Sequence, residues 1–289
     1  VYNGEAFIRE ALDSLLAQTF TDFELIISDN ASTDGTEVIC REYAAKDARI
    51  RYVRQAENRG AFANFQFVLD EAVGEYFMWM AADDRLSAED YLQQLFGKMG
   101  PDVDYVFPDI AIIDSSGGIL KSAVMSPFEN AATRFEFAKA SLRINSYQIY
   151  GIFKTSRLRE DFCFLDRTRH MRCFGEGLFV HTISVERNGT FVPAACKLYR
   201  RHETNASSTL PAKTLLLDFL RYSKSSATYF VLSTRFSWVE KLKLLLPKFY
   251  FDSRYALYLF FAVIAQKFPT VRAWTRNFSL KSSASTTKI

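Results

Sequence analysis

Two adjacent carboxylates, Asp83 and Asp84, close the apolar run Glu75-Tyr-Phe-Met-Trp-Met-Ala-Ala-Asp-Asp-Arg85. Large apolar side chains bounded by Gly74 and then by charge read as a buried strand, which puts the acid pair at its carboxyl end. In open α/β sheets that edge is where ligands bind, and paired carboxylates there suit a hard divalent cation, Mg2+ or Mn2+, that carries phosphates. The alternative is that the two acids cap the helix following Ser87, since Asp is a favoured capping residue. A second polar cluster is Tyr199-Arg-Arg-His-Glu-Thr-Asn-Ala-Ser207. Its Arg and His donors suit phosphate oxygens, although a charge cluster is ordinarily a solvated face. Glu176 opens an apolar helical pattern at Leu178, Phe179, His181, Thr182 and Val185, where the helix dipole favours an acid whatever its job.

The elements that must position these groups alternate. Ala6, Ile8, Ala11, Leu12, Leu15 and Leu16 are spaced for one buried helical face, and Phe23–Ser28 reads as a strand. Asp29-Asn-Ala-Ser-Thr-Asp-Gly35 combines turn and capping residues before a helix from about Thr36 to Ala45. A strand over Ile50–Arg54, a helix over Ala61–Val73 and the run ending at Met80 continue the alternation, which predicts βαβ units and a mostly parallel sheet. Helices over Ala88–Met99 and Phe135–Leu142, and strands near 105–107, 110–113, 190–193 and 197–199, complete this part. Because the chain enters its first helix directly after Val1-Tyr-Asn-Gly4, the pattern leads us to expect a preceding strand outside this sequence. No GxGxxG or GxxxxGK[ST] pattern occurs, so the usual phosphate-cradling signals of dehydrogenases and P-loop NTPases are missing.

Composition narrows the classes further. With 48% hydrophobic and 24% charged residues in 289, the chain is ordinary for a globular protein with a sizeable core. A net charge of +3 leaves no footprint for nucleic acid. Cys40, Cys163, Cys173 and Cys196 form no CxxC pair and no secretory peptide precedes them, so a reducing cytoplasmic setting is expected. His170, His181 and His202 make no HxxxH pattern, which argues against a zinc enzyme. From Leu210 the composition turns to Leu, Phe, Tyr, Lys and Arg, consistent with several helices. The apolar stretch Tyr255–Ala265 is shorter than the ~20 residues a membrane span needs. Cations beside Phe and Leu over 210–268 instead suggest contact with an anionic membrane face, or else packing on the rest of the chain or a second copy in a homo-oligomer. Ser279 onward is Ser/Thr/Lys-rich and reads as a disordered tail.

Val1-Tyr-Asn-Gly-Glu5, Phe23-Glu-Leu-Ile-Ile-Ser-Asp-Asn-Ala-Ser-Thr-Asp-Gly-Thr36, Glu57-Asn-Arg-Gly60 and Ala82-Asp-Asp84, in this order and spacing, resemble the family 2 glycosyltransferases of GT-A fold. The resemblance implies an α/β, Rossmann-like GT-A sheet flanked by helices. Its nucleotide-sugar half would cover 1–115 and its acceptor half 116–207, followed by a helical region over 208–278 and a tail over 279–289. It implies that Tyr2 and Asn3 lie under the nucleotide base, that Asp29 bonds the base with Asn30 replacing a second acid, and that Arg59 and Gly60 approach the nucleotide. Asp83 and Asp84 match the region that holds ribose and metal, with Ala81 where many relatives have a further Asp. Tyr199-Arg-Arg-His202 matches a loop closing over the diphosphate, so Arg201 and His202 bind it and His202 joins Asp83 and Asp84 at the metal. Glu176 matches the position of the catalytic base, although Gly177 replaces the acid that often follows; Asp161 and Asp166 are the stand-ins.

The function so implied is inverting transfer of a sugar from a nucleoside diphosphate to a hydroxyl of a glycan or lipid-linked acceptor, in cell-surface polysaccharide or glycolipid synthesis. The cytoplasm, or the cytoplasmic face of the membrane, is the expected location. A sugar-nucleotide-binding protein without turnover and a nucleotidyltransferase are the alternatives.

Overall fold

The computed structural model describes residues 1–142, 146–162, 175–202 and 211–267. Asp166, residues 203–207 of the polar loop and the tail over 279–289 lie outside the described residues. The chain divides into two compact units, one formed by Val1–Arg169 with Thr182–His202, the other by His170–His181 with Glu203–Ile289.

The first unit begins with α1 (Ile8–Leu16), whose buried Ile8, Ala11, Leu12 and Leu15 make the stripe expected of a helix with one face on a core. β1 (Leu25–Asp29), α2 (Thr36–Lys46) and β2 (Ile50–Arg54) then form a βαβ unit, in which β1 and β2 run parallel from Leu25 opposite Ile50 to Asp29 opposite Arg54. α3 (Gly60–Glu71) follows. A separate sheet holds β3 (Tyr76–Phe77), β4 (Arg85–Leu86), β5 (Tyr105–Ile113), β6 (Ile119–Lys121), β7 (Ile152–Lys154) and β8 (Gly189–Arg200), in the order β3-β7-β5-β8-β4 with β6 beside β5. Its longest pairing, β5 with β8, is parallel, whereas β3–β7, β4–β8, β5–β6 and β5–β7 are antiparallel. The α/β alternation thus gives parallel pairs at β1–β2, a sheet of its own, and at β5–β8, around which short antiparallel strands complete the second sheet. α4 (Tyr91–Phe96), α5 (Arg134–Ser141) and α6 (Thr155–Phe162) are further helices of this unit, and α7 (Gly175–Glu186) starts in the second unit and enters the first at Thr182.

Three local outcomes differ from the sequence expectation. The run through Met80 is a strand only over Tyr76–Phe77, because its partner β7 is three residues long and pairs only Phe77 with Phe153 and Tyr76 with Lys154. Met78–Met80 are therefore held by packing: Trp79 is buried among Phe65, Phe77 and Phe162. Between this segment and β1 lies an apolar cavity of about 470 Å3, bordered by Leu12, Ile27, Phe65 and Trp79. The strands expected near 105–107 and 110–113 are one strand, β5, which continues through Pro108; β8 takes up the irregularity, since Pro108 faces Val192 and Asp109 faces Cys196. The helix after Ser87 starts only at Tyr91 behind Asp90, so Asp83 and Asp84, which precede β4, are not its caps.

Gly151, where the chain enters β7, is required by close approach. A Cβ there would lie 2.2 Å from the Val106 carbonyl oxygen. Gly151→Ala is expected to destabilise the protein by ~1–3 kcal/mol through overpacking, read as a lower urea midpoint with an unchanged slope.

The second unit contains α8 (Ala212–Leu232) and α9 (Trp238–Lys267). They bury Phe219, Phe230, Leu244 and Leu259. The stretch Tyr255–Ala265 lies inside α9, and among the described residues no helix is long and apolar enough to cross a membrane.

Candidate functional site

The loop after β1 is built around Asp29, which is fully buried. Its Oδ1 accepts from the Ser32 backbone N–H at 2.8 Å, and its Oδ2 accepts from the Tyr52 hydroxyl at 2.7 Å and from Arg54 at 2.8 Å. Burial pushes the Asp29 carboxyl up, but the Ser32, Tyr52 and Arg54 donors outweigh it and hold the group below the usual aspartate range. Asn30, also buried, reaches the other way. Its Nδ2 donates to Asn58 at 2.9 Å, and its Oδ1 accepts from the Arg59 backbone N–H at 2.9 Å. The Asn58 Oδ1 also accepts from the Gly60 N–H, where φ is +84°, a conformation open to glycine. On the opposite side Asn3 Oδ1 accepts from Thr33 N–H at 2.8 Å and Asn3 N–H donates to Ser32 Oγ at 2.9 Å. Asn3 and Ala31 both take left-handed backbone, at φ +49° and +60°, the kind of local strain that a surrounding hydrogen-bond frame has to hold.

The sequence-selected residues therefore separate into two groups. Tyr2, Asn3, Arg59 and Gly60 are exposed on the rim of these loops, while Asp29 and Asn30 are the buried struts that hold the rim in shape.

The acid pair separates in the same way. Asp84 is 1% exposed. Its Oδ1 accepts from the Arg200 backbone N–H at 2.9 Å, and its Oδ2 forms an ion pair with the buried Lys197 Nζ at 2.9 Å, which is not aligned as a hydrogen bond. Lys197 Nζ also sits 3.2 Å from the centre of the Tyr150 ring. Burial pushes the Asp84 carboxyl up and the Lys197 amine down, and the opposite charge of each partner pulls it back. Asp84 is thus enclosed within the protein, which departs from the expectation that it contacts ribose and metal. Asp83 is the outward member: its Oδ2 lies 3.0 Å from His202 Nε2, and its side chain is 29% exposed.

Arg200 fixes this arrangement. Its Nε donates to the Asp83 carbonyl at 2.9 Å, one terminal nitrogen donates to the Ser115 carbonyl at 3.0 Å and the other to Glu10 at 2.6 Å. The guanidinium lies over the Phe7 ring. Arg201, the next residue, is exposed. Lys197→Met would leave Asp84 buried without its counter-charge, and a loss of ~3 kcal/mol is expected at neutral pH. Because the Asp84 pKa is raised by burial, that loss should shrink as pH falls and the acid protonates; urea titrations at two pH values check it.

For a cation, the Asp83 carboxylate and the His202 imidazole are partly exposed donors; no group of three or more His, Cys, Asp or Glu side chains converges on a metal position among the described residues. Such a pair fits a cation that takes its remaining ligands from phosphate oxygens and water, as Mg2+ does.

Glu176 stands half-buried in the first turn of α7, where burial pushes its carboxyl above the usual glutamate range. The neighbouring position is tight: a Cβ on Gly177 would meet the Tyr222 ring at 3.2 Å, so a side chain there would press on that ring. Asp161 is held by Arg187 at 2.7 Å and 2.8 Å through both oxygens, a structural ion pair. Lys197, Tyr52 and Arg54 carry no local signal of a site role in the sequence, and Arg200, legible there only as part of the polar cluster, is a buried strut rather than a phosphate donor. The available signal of burial was the pair of cations inside the apolar strand pattern Cys196-Lys-Leu-Tyr-Arg200, since a buried cation calls for a buried acid.

Comparison with known proteins gives a consistent result. The model of the family described as Glycosyl transferase family 2 matches residues 1–157. Glycosyltransferase GlyA of Streptococcus pneumoniae serotype 4 is 36% identical over 112 residues, 39% of this chain and 15% of that protein. The chain spans half or less of the length of the first curated relatives it matches. Among solved structures, S. aureus TarS 1-349 in complex with UDP aligns over 86% of this chain and 68% of that one, at a TM-score of 0.63 and 17% identity. The mannosyltransferase PcManGT from Pyrobaculum calidifontis, in complex with GDP-Man and Mn2+, aligns over 97% and 78%, at a TM-score of 0.52 and 18% identity. At these identities the likeness is one of fold, and the fold is the mixed α/β GT-A type.

Proposed function

The chain belongs to glycosyl transferase family 2, and on that premise we propose that it moves a sugar from a nucleoside-diphosphate donor to an acceptor hydroxyl with inversion of configuration. The observation that carries this reading is the meeting of Asp83 and His202 at 3.0 Å in the same unit as the Asp29 loop. The donor's nucleoside rests on the rim made by Tyr2, Asn3, Arg59 and Gly60, with Asp29 and Asn30 shaping the pocket from beneath. Asp83 and His202 would hold Mg2+ or Mn2+, which would supply positive charge to offset that developing on the departing diphosphate. The exposed Arg201 supplies a guanidinium for the diphosphate oxygens, to which its planar fork is matched. Asp84, Lys197 and Arg200 hold Asp83 in position.

Glu176 takes the proton of the acceptor hydroxyl as that oxygen attacks the anomeric carbon from the face opposite the leaving group. Glycosyl transition states resemble an oxocarbenium ion, so departure of the diphosphate needs as much assistance as the attack. The UDP of the TarS complex and the GDP-Man and Mn2+ of the mannosyltransferase complex support a nucleoside-diphosphate donor and a divalent cation. The acceptor is a glycan or a lipid-linked acceptor of cell-surface polysaccharide or glycolipid synthesis, glycosylated in the cytoplasm or at the cytoplasmic membrane face.

Calorimetric titration with UDP, GDP and dTDP, each with and without Mn2+, tests the reading. Binding of one nucleotide, strengthened by Mn2+, is the expected result. Failure to bind any of them overturns it, and metal-dependent binding without turnover of any donor sugar would make the protein a sugar-nucleotide binder.

A further inference from the structure

α9 presents an apolar stripe that its own unit leaves exposed. Val239, Leu242, Leu246 and Phe249 recur at three- and four-residue steps, and Leu257 and Phe260 return to the same face two turns later, beyond the exposed Ser253. Leu246 is 68% and Phe249 75% exposed. Exposed apolar residues scattered singly need no explanation, but six of them along one face of a helix do.

Cations border the stripe. Lys243 and Arg254 are exposed along one side of it, and α8 exposes Lys213, Arg221 and Lys224 beside Leu217 and Leu220. The acids of the two helices are engaged locally: Asp218 with Arg221, Asp252 with Lys248, and Glu240 with the Ser237 cap at the start of α9. Two amphipathic rings carry cations on their faces, with Lys241 4.9 Å from the Trp238 ring centre and Arg254 5.5 Å from that of Tyr250.

We propose that this face of α9 docks on an anionic lipid bilayer, lying in the plane of the interface with the apolar stripe among the acyl chains and the cations at the headgroups. Helices with an apolar face, aromatic rings and flanking Lys and Arg bind such interfaces through buried area plus attraction to anionic lipid. A second copy of the chain is the less suitable occupant. An antiparallel twofold contact through this stripe would bring the Lys243 and Arg254 borders of both copies together, like charge against like. The inference stands on the second unit alone and does not depend on the catalytic reading.

The test is co-sedimentation of the full chain with vesicles of phosphatidylcholine alone or mixed with phosphatidylglycerol, at low and high salt, alongside L246E/F249E and K243E/R254E. These positions are exposed, so folding is checked simply by circular dichroism. The expected result is binding to the phosphatidylglycerol vesicles that weakens with salt. It should be lost in L246E/F249E and fall by roughly 30-fold or more in K243E/R254E, since each cation contributes ~1 kcal/mol at an anionic surface. Absence of binding, or equal binding to both vesicle types whatever the salt, overturns the proposal. So does a wild-type dimer in solution that L246E/F249E makes monomeric without any vesicle binding. Nucleotide titration of the same samples separates this outcome from failure of the transferase reading.

Discussion

Asp83→Ala is expected to lower Mn2+-dependent nucleotide affinity about 100-fold, while metal-independent affinity changes little. A carboxylate that holds a cation against a diphosphate contributes several kcal/mol, and ~2.7 kcal/mol corresponds to that factor. The structure gives reason to expect a clean experiment. Arg200 holds the Asp83 backbone carbonyl rather than its carboxylate, so the loop keeps its conformation when the side chain is cut back. Asp84 is the contrasting position, because its removal would leave Lys197 buried without a counter-charge and would act first on stability. Calorimetry with and without Mn2+, paired with urea unfolding, therefore distinguishes the two acids: Asp83→Ala should lose metal-linked binding at near-normal stability, and Asp84→Ala should lose stability. Metal-linked binding that survives Asp83→Ala undiminished would remove Asp83 from the site.

Glu176→Gln is expected to lower turnover by about 10²- to 10⁴-fold, the range that a positioned general base contributes, with nucleotide affinity unchanged. Burial raises the Glu176 carboxyl above its ordinary value of 4.5, and the base works only when ionised. Turnover should thus fall as pH drops through that raised pKa, and the acidic limb should disappear in the glutamine variant. Stability moves the other way. Since folding raises this pKa, ionised Glu176 costs stability at neutral pH, and Glu176→Gln should be no less stable than wild type there. A pH–rate profile and a denaturation curve on the same variant check both signs. Lower stability together with lower nucleotide affinity would make Glu176 a structural group.

The tight frame at Asp29 also shows what a chain can and cannot announce. Asp29-Asn-Ala-Ser-Thr-Asp-Gly35 is legible as a polar loop at the end of a strand because turn and capping residues follow an apolar run. That Asp29 spends both oxygens on Ser32, Tyr52 and Arg54 is not legible, since Tyr52 and Arg54 arrive from β2, which pairs with β1 only in the folded sheet. Asn30 is similar, because its partners Asn58 and Arg59 come from the turn before α3.

By itself the sequence determined the α/β alternation through α1, β1, α2, β2 and α3, the polar loops at their ends, and the family to which those loops belong. These are properties of periodicity and local turn chemistry, which act over a few residues. Only the tertiary structure decided which acid of the pair faces outward. Asp83 and Asp84 are neighbours of one type, and nothing local distinguishes them; the difference is made by Lys197 and Arg200 on β8, more than a hundred residues away, which enclose Asp84 and leave Asp83 beside His202. The tertiary structure also decided what Gly177 faces, since the Tyr222 ring from α8 would lie 3.2 Å from a Cβ there. In both places the reason is the same. Burial and charge pairing are set by whichever strand or helix is brought alongside, and that is a property of the fold rather than of the neighbouring residues.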